Sequence, residues 1–317
     1  MTKTVFIDGE AGTTGLGIRE RLQSVSGVTV RSIDLDKRKD PAARKALMTE
    51  VDVVILCLPD DAAKETVSLA DELGAKAPRL LDASTAHRVA ADWTYGFAEM
   101  TAEQAGLIRK AQRVTNPGCY PTGAIALLRP LIAAGLMPSD HPVTINAVSG
   151  YSGGGKSMIA DHEQGKAPNF ELYGLGLQHK HVPEIQHYSG LKTRPIFAPS
   201  VGHFRQGMLV SIPLHLSALS GQVTAADLHH CLVNHYAGSE QVKVIALDDA
   251  SIKTGRVEAE SLNDTDKMEL RIFHHDAHGQ VVLVAKLDNL GKGASGAAVQ
   301  NLKLMLSLSA FLTCDHA

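Results

Sequence analysis

Val5-Phe6-Ile7-Asp8-Gly9-Glu10-Ala11-Gly12-Thr13-Thr14-Gly15 runs from a short apolar segment into glycines at every third position and then into a helical stretch. Strand, glycine turn and helix in that order predict the first unit of a dinucleotide-binding fold. Glycines let the backbone turn sharply and approach a pyrophosphate, while N–H groups and the dipole at the helix N-terminus stabilise its charge. A glycine triplet by itself also suits an ordinary structural turn, so its position after a strand and before a helix carries the argument.

Outward from that unit, β-rich runs at Val5–Ile7, Val28–Val30, Val53–Leu56, Leu80–Leu81 and Arg113–Val114 alternate with helical stretches near 14–24, 61–73 and 101–111. That alternation predicts a doubly wound, Rossmann-type parallel sheet. Beyond Pro121 the texture changes. A helical stretch at 124–134 is followed by strand-like runs at 142–148, 208–216, 269–275 and 280–287, without regular crossover helices between them. This predicts an α+β domain with a mostly antiparallel sheet, so the chain as a whole is of the α/β class. Residues 161–206 read as a long excursion punctuated by His and Pro. Ala297, Ala298, Leu302, Met305, Leu306 and Leu308 recur at helical spacing, which predicts an amphipathic helix over about 295–312.

Composition narrows the chemistry. With 317 residues, 44% apolar and 21% charged, the chain is long enough for two domains, and its net charge of −3 gives no basic field for nucleic acid or an acidic membrane. No uninterrupted apolar run approaches the roughly 18 residues of a membrane span. Met1–Val5 leads straight into the first strand without a signal-peptide pattern, and Cys57, Cys119, Cys231 and Cys314 form no CxxC pair. A cytoplasmic protein with reduced thiols, a small-molecule substrate and no metal is expected.

The second strand ends in Ser32-Ile33-Asp34, where an acidic residue ordinarily binds the ribose 2′-hydroxyl of NAD. Arg31 and Lys37-Arg38-Lys39 lie close by and suit the 2′-phosphate of NADP, so the local residues leave the choice open. The same charges also suit a solvated loop.

Asn116-Pro117-Gly118-Cys119-Tyr120-Pro121-Thr122-Gly123 is the most informative stretch for chemistry. Cys119 follows a strand and a Pro-Gly turn and precedes a helix whose first turn tolerates Pro121. The positive end of that helix is expected to lower the thiol pKa and favour the thiolate nucleophile. Cys57 reads as a core residue, and Cys231 and Cys314 as helix residues without special surroundings. A thiolate beside a nicotinamide implies thioester chemistry, with a histidine as acid and base. His203, in Gly202-His203-Phe204-Arg205, precedes a strand beside an arginine and is the first candidate. His179 and His181 compete with it; two histidines two residues apart, without a companion cluster, do not make a metal site.

Several of these segments together resemble the N-acetyl-gamma-glutamyl-phosphate reductases in their shorter form, and more broadly the aspartate-semialdehyde dehydrogenase superfamily. The segments are Gly9–Gly15, Asp82–Arg88 with Tyr95–Glu99, Asn116–Thr122, Ser149–Gly153, His179–Glu184 and Leu287–Gly296. The resemblance implies NADPH-dependent reduction of N-acetyl-L-glutamyl 5-phosphate in arginine biosynthesis by a homo-oligomer, dimer or tetramer. It implies a dinucleotide-binding domain over 1–118, completed by the C-terminal helix 295–317, and a catalytic, substrate and oligomerisation domain over 119–294. Cys119 matches the nucleophile and His203 the acid/base group. Gly9, Gly12, Thr13, Thr14, Gly15, Arg31, Ser32, Ser152, Gly153, Asn289 and Gly293 are the expected dinucleotide contacts. Arg88, Asn116, Ser149 and Arg205 are the expected substrate contacts. Ala83-Ser84-Thr85-Ala86-His87-Arg88 departs from the common Leu-Ser-Ala-Asp-Phe-Arg form, and Gly-His-Phe-Arg departs from the longer form's pattern around its histidine. An aspartate-semialdehyde dehydrogenase-like reductase shares the mechanism. A cysteine hydrolase or acyltransferase, or a nucleotide-sensing module, would leave the glycine loop or Cys119 without a role.

Overall fold

A computed structural model describes residues 2–308. Its first sheet is built from β1 (Lys3–Asp8), β2 (Val28–Arg31), β3 (Val53–Leu56), β4 (Arg79–Asp82), β5 (Thr94–Tyr95) and β6 (Arg113–Thr115). The order is β2-β1-β3-β4-β6-β5, with every pairing parallel. All four residues of β3 are buried, as the centre of a parallel sheet covered on both faces requires. The helices α1 (Thr13–Leu22), α2 (Pro41–Met48), α3 (Asp60–Asp71) and α4 (Gln104–Lys110) form its crossovers. Because β2 and β3 flank β1 on opposite sides, the glycine loop after β1 opens at the switch in strand order, where α/β sheets bind ligands.

The helix α2 lies where the sequence reads as a charged loop. Asp40 caps it by accepting from the Ala42 N–H at 2.9 Å, and Pro41 occupies the first turn, where a missing N–H costs nothing. Its Arg44, buried, donates to Asp8 at 2.7 Å and so braces the end of β1 below the glycine loop.

The next helix, α5 (Cys119–Ala133), begins five residues earlier than its apolar spacing suggests. Pro130 inside it removes the N–H that would bond Ala126 O, and Tyr236 supplies the donor instead at 2.9 Å. The second sheet follows, from β7 (Thr144–Gly150), β8 (Phe170–Leu172), β9 (Ile196–Gly202), β10 (Met208–His215), β11 (Val242–Val244), β12 (Met268–His275) and β13 (Gln280–Leu287). Its order is β11-β12-β13-β10-β7-β9-β8. Pairings with β7–β9 and β11–β12 are parallel and the rest antiparallel. The predicted excursion at 161–206 therefore contains two strands, and it also carries α7 (Val182–Ser189) after α6 (Gly155–Glu163). Pro199 disguises β9. It sits just past the last β8 pairing, opposite Leu172 at Ser200, so the strand is locally at an edge there.

One face of this sheet packs on α5, α7 and α8 (Ala225–His235), in a core that includes Ile125, Leu128, Val210 and Leu283. Contact is close: a β-carbon on Gly123 would lie 3.0 Å from Val210 Cγ2. Strand register puts Phe170, Leu172, Ile196 and Val282 on the opposite face, where all four are exposed. After α9 (Ala250–Lys253), the chain returns to the first sheet through a π-turn at Gly291–Ser295 and α10 (Gly296–Met305). Ala298, Leu302, Met305 and Leu306 pack with Ile7, Ile18 and Val114. Residues 309–317, including the predicted end of this helix and Cys314, lie outside the described residues.

Candidate active site

A cleft of about 380 Å³ runs between the two sheets, from Thr13 and Thr14 at the start of α1 to Cys119 at the start of α5. The glycine loop enters it with Gly9 at φ +88° and with Gly12 capping α1 without any side-chain acceptor for the first-turn N–H groups. A β-carbon on Gly12 would meet only ordinary contacts, the nearest at 3.4 Å. The protein's own packing therefore does not demand a glycine there. This cradle fits a dinucleotide pyrophosphate.

At the other end, β6 and the turn Asn116-Pro117-Gly118 deliver Cys119 to the first turn of α5, half-buried in the cleft wall. Below the turn lies a buried carboxylate. Glu184 Oε1 accepts from the Gly118 N–H at 2.8 Å and from the Tyr95 hydroxyl at 2.7 Å, while Oε2 accepts from Arg88 Nη1 at 3.1 Å. Arg88 and His181 press on the same backbone: a β-carbon on Gly118 would lie 2.6 Å from Arg88 Nη1 and 2.7 Å from His181 Nε2. Only glycine allows both groups so near the residue before the thiol.

Electrostatics reverse one expectation. The Tyr120 backbone N–H at the helix start and the Arg88 charge do favour the thiolate, but burial outweighs them and pushes the Cys119 thiol up to about 11. Burial, aided by Arg88, holds His181 well below its ordinary value, and His179 is brought down to about 4. Near neutral pH the cleft thus holds Cys119 as the thiol and His179 and His181 as neutral imidazoles.

Among the expected contacts, Thr13, Thr14, Arg88, Asn116, Ser149, Ser152, Gly153, Asn289 and Gly293 line the cleft with Cys119. Asn289 ties the second sheet's end together, donating to Ser152 Oγ at 2.9 Å and accepting from the Gly207 N–H at 2.8 Å. Asn116 donates to Ala294 O at 3.0 Å, which fastens the π-turn beside Cys119. Gly9 and Gly15 shape the loop rather than the wall; a β-carbon on Gly15 would lie 2.6 Å from Gly9 O.

Four expected residues lie elsewhere. His203 is exposed, its Nδ1 3.0 Å from His162 Nδ1, with the two rings stacked. Arg205 is exposed and paired with Glu163 at 2.6 Å. Both follow the end of β9, whose preceding residue Val201 does line the cleft, so a two-residue step in the chain carries the side chains out of it. Arg31 pairs with Glu50 at 2.9 Å, and Ser32 hydrogen-bonds to Arg19 and Glu10; neither lines the cleft. Sequence reasoning overlooked Glu184 and the buried Lys292. The signal for Glu184 was its three-residue spacing from His181, which sets both on the first turn of α7.

Among the described residues, no group of three or more His, Cys, Asp or Glu side chains is arranged to hold a metal ion, and no helix is long and apolar enough to cross a membrane.

The chain matches two families, "Semialdehyde dehydrogenase, NAD binding domain" over residues 13–108 and "Semialdehyde dehydrogenase, dimerisation domain" over residues 119–289. It is 54% identical to an N-acetyl-gamma-glutamyl-phosphate reductase of Allorhizobium ampelinum, over 97% of this chain and 100% of the relative. It is likewise 54% identical to one of Brucella suis, over 96% and 99%. Aspartate semialdehyde dehydrogenase from Francisella tularensis shares the fold, with a TM-score of 0.73 at 14% identity over 96% of this chain and 100% of that one. The Candida albicans enzyme solved with NADP has a TM-score of 0.65 at 15% identity, over 96% and 99%.

Proposed function

Because the chain belongs to the semialdehyde dehydrogenase family, in its N-acetyl-gamma-glutamyl-phosphate reductase branch, we propose that it uses NADPH to reduce N-acetyl-L-glutamyl 5-phosphate to N-acetyl-L-glutamate 5-semialdehyde, releasing phosphate, in cytoplasmic arginine biosynthesis. One observation carries the mechanism: Cys119 stands in the cleft beside Gly118, against which Arg88 and His181 both press.

His181 takes the Cys119 proton, and the thiolate attacks the acyl carbon. The tetrahedral oxyanion forms near the Arg88 guanidinium, and its collapse breaks the bond to phosphate, whose leaving oxygen takes the proton held by His181, and leaves an acyl thioester on Cys119. Thr13, Thr14, Asn289 and Gly293 would hold a nicotinamide along the cleft, and that group would supply the hydride. The alkoxide left by hydride addition collapses to the aldehyde as Cys119 departs as thiolate, and the thiolate takes up one proton from solvent, so both side chains end as they began and the cycle consumes one proton. The low basicity of His181 and the high pKa of the thiol make the first transfer, from thiol to imidazole, uphill in the empty site; bound substrate phosphate, an anion, favours the imidazolium and so assists it.

The exposed apolar face bearing Phe170, Leu172, Ile196 and Val282 supports homo-oligomerisation through residues 119–294. The proposed dinucleotide-binding unit is 1–118 with the returning 295–317 segment.

A spectrophotometric assay in the reverse direction tests the substrate. Nicotinamide reduction is expected with N-acetylglutamate semialdehyde and phosphate. Reduction with aspartate semialdehyde and phosphate alone would overturn the substrate and keep the chemistry.

A further inference from the structure

The two cations nearest the end of β2 in sequence are engaged with carboxylates: Arg31 with Glu50 at 2.9 Å and Lys37 with Asp34 at 2.9 Å. A different arginine reaches the place where the adenine ribose of a dinucleotide lies, beside the first residue after β2. Arg19, two turns into α1, donates to Ser32 Oγ at 2.9 Å and is ion-paired with Glu10 of the glycine loop. Ser32 donates in turn to Glu10 Oε2 at 2.9 Å. Loop, helix and strand end thus converge on one guanidinium, whose side chain is 42% exposed and open to a ligand.

We propose that Arg19 and Ser32 form the subsite for the 2′-phosphate of NADP, and that Glu10 occupies the Arg19 guanidinium until the phosphate displaces it. This rests on the NADP reading above. The planar guanidinium presents paired N–H donors that suit a phosphate dianion as well as a carboxylate, and the Ser32 hydroxyl can donate to either. Glu10 stays close after displacement and repels the phosphate, which keeps the preference moderate. It is also the group that would accept from the free 2′-hydroxyl of NAD. The same three residues therefore set the selectivity in both directions, Arg19 towards NADP and Glu10 towards NAD.

Calorimetric titration of the full chain with adenosine 2′,5′-bisphosphate and with adenosine 5′-monophosphate isolates the 2′-phosphate without any turnover. The wild type is expected to bind the bisphosphate about 10-fold or more tighter, as charge-assisted hydrogen bonds allow. Arg19→Met should bring that ratio close to one with the monophosphate affinity unchanged, Ser32→Ala should reduce it partly, and Glu10→Gln should raise it. A wild-type preference that survives both Arg19→Met and Ser32→Ala overturns the subsite alone, as does one lost instead in Arg38→Met. A wild type that binds both ligands equally overturns the NADP reading and the subsite with it. Ser32→Ala and Glu10→Gln decide the matter if Arg19→Met does not fold.

Discussion

Gly293 packs its backbone directly on Cys119: a β-carbon there would lie 2.9 Å from the Cys119 β-carbon and 3.1 Å from Asp288 O. The two residues are far apart in sequence, at the start of α5 and past β13, and the π-turn at Gly291–Ser295 brings them together. Such turns are uncommon and concentrate at functional sites, where they shift side chains and backbone out of helical register. Gly293→Ala must move either the turn or Cys119, so kcat should fall about 10²-fold, the usual cost of a displacement near 1 Å at a reacting centre. The fold should survive, because the cleft is open on the other side. Steady-state kinetics beside a thermal melt checks this. An unchanged kcat would show that the contact has no bearing on Cys119.

The thiol itself offers a pH test. With burial pushing Cys119 up to about 11, the thiolate fraction of the free enzyme grows about tenfold per pH unit across the neutral and alkaline range. Iodoacetamide labelling of Cys119, followed by peptide mass mapping, is therefore expected to accelerate steadily up to pH 9–10, a range set by that upward shift. A plateau reached below pH 8 would mean that the helix end and Arg88 outweigh burial after all.

Two histidine variants separate the proton shuttles. His181→Asn removes the imidazole pressed on Gly118 and should reduce kcat about 10²–10⁴-fold, the range for a positioned acid or base. His203→Asn, at an exposed position, should leave kcat within a few-fold, about the scatter of surface substitutions. The reverse ranking would return the acid/base role to His203.

Lys292 anchors the π-turn, and its removal tests a buried ion pair. Its ammonium is 1% exposed, donates to both Glu99 carboxylate oxygens at 2.9 and 2.8 Å, and also reaches Gln241 and Gln300. Burial pushes Glu99 towards the neutral form, yet Lys292 and Gln300 outweigh it and keep its pKa below the usual value. Lys292→Met leaves that carboxylate uncompensated, which should cost about 3–5 kcal/mol in denaturant unfolding. Adding Glu99→Gln should recover most of the loss. A double variant no more stable than the single one would show that the ammonium's contacts with the two glutamines matter more than the charge pair.

For Glu99, a carboxylate with a depressed folded-state pKa, the pairing stabilises above the unfolded value near 4.5 and is lost as pH falls through the lower folded value. The wild type should therefore lose stability on acidification in a step that is absent when Glu99 is glutamine, measured by urea midpoints at a series of pH values. An identical acid profile in the Lys292→Met/Glu99→Gln protein would remove Glu99 from the account.

Where contiguous residues carry the signal, the sequence was legible. β1, the glycine loop and α1 follow one another within twenty residues, and each is marked by its own period or turn residues. The place of Cys119 was legible for the same reason, since strand, Pro-Gly turn and helix surround it directly. Elements with mixed signals were harder. Asp40-Pro41 marks a helix start, but the charge run before it suggested a loop, and Pro199 argued against a strand that tolerates it only because β8 stops short. His203 stood beside an arginine and before a strand, features that say where the backbone goes but not which way the side chain turns.

The sequence by itself determined the α/β plan, the glycine turn between β1 and α1 and the place of Cys119 at the start of a helix, because hydrophobic periodicity and turn chemistry act over a few residues. Only the tertiary structure decided that His181 and Arg88 press on Gly118 and Gly293 on Cys119, that Arg19 rather than Arg31 stands beside Ser32, and that burial raises the thiol pKa. Those outcomes depend on which distant segments share a low-dielectric space. Charge pairing and desolvation are set by proximity in three dimensions, and a pattern of neighbours along the chain does not contain it.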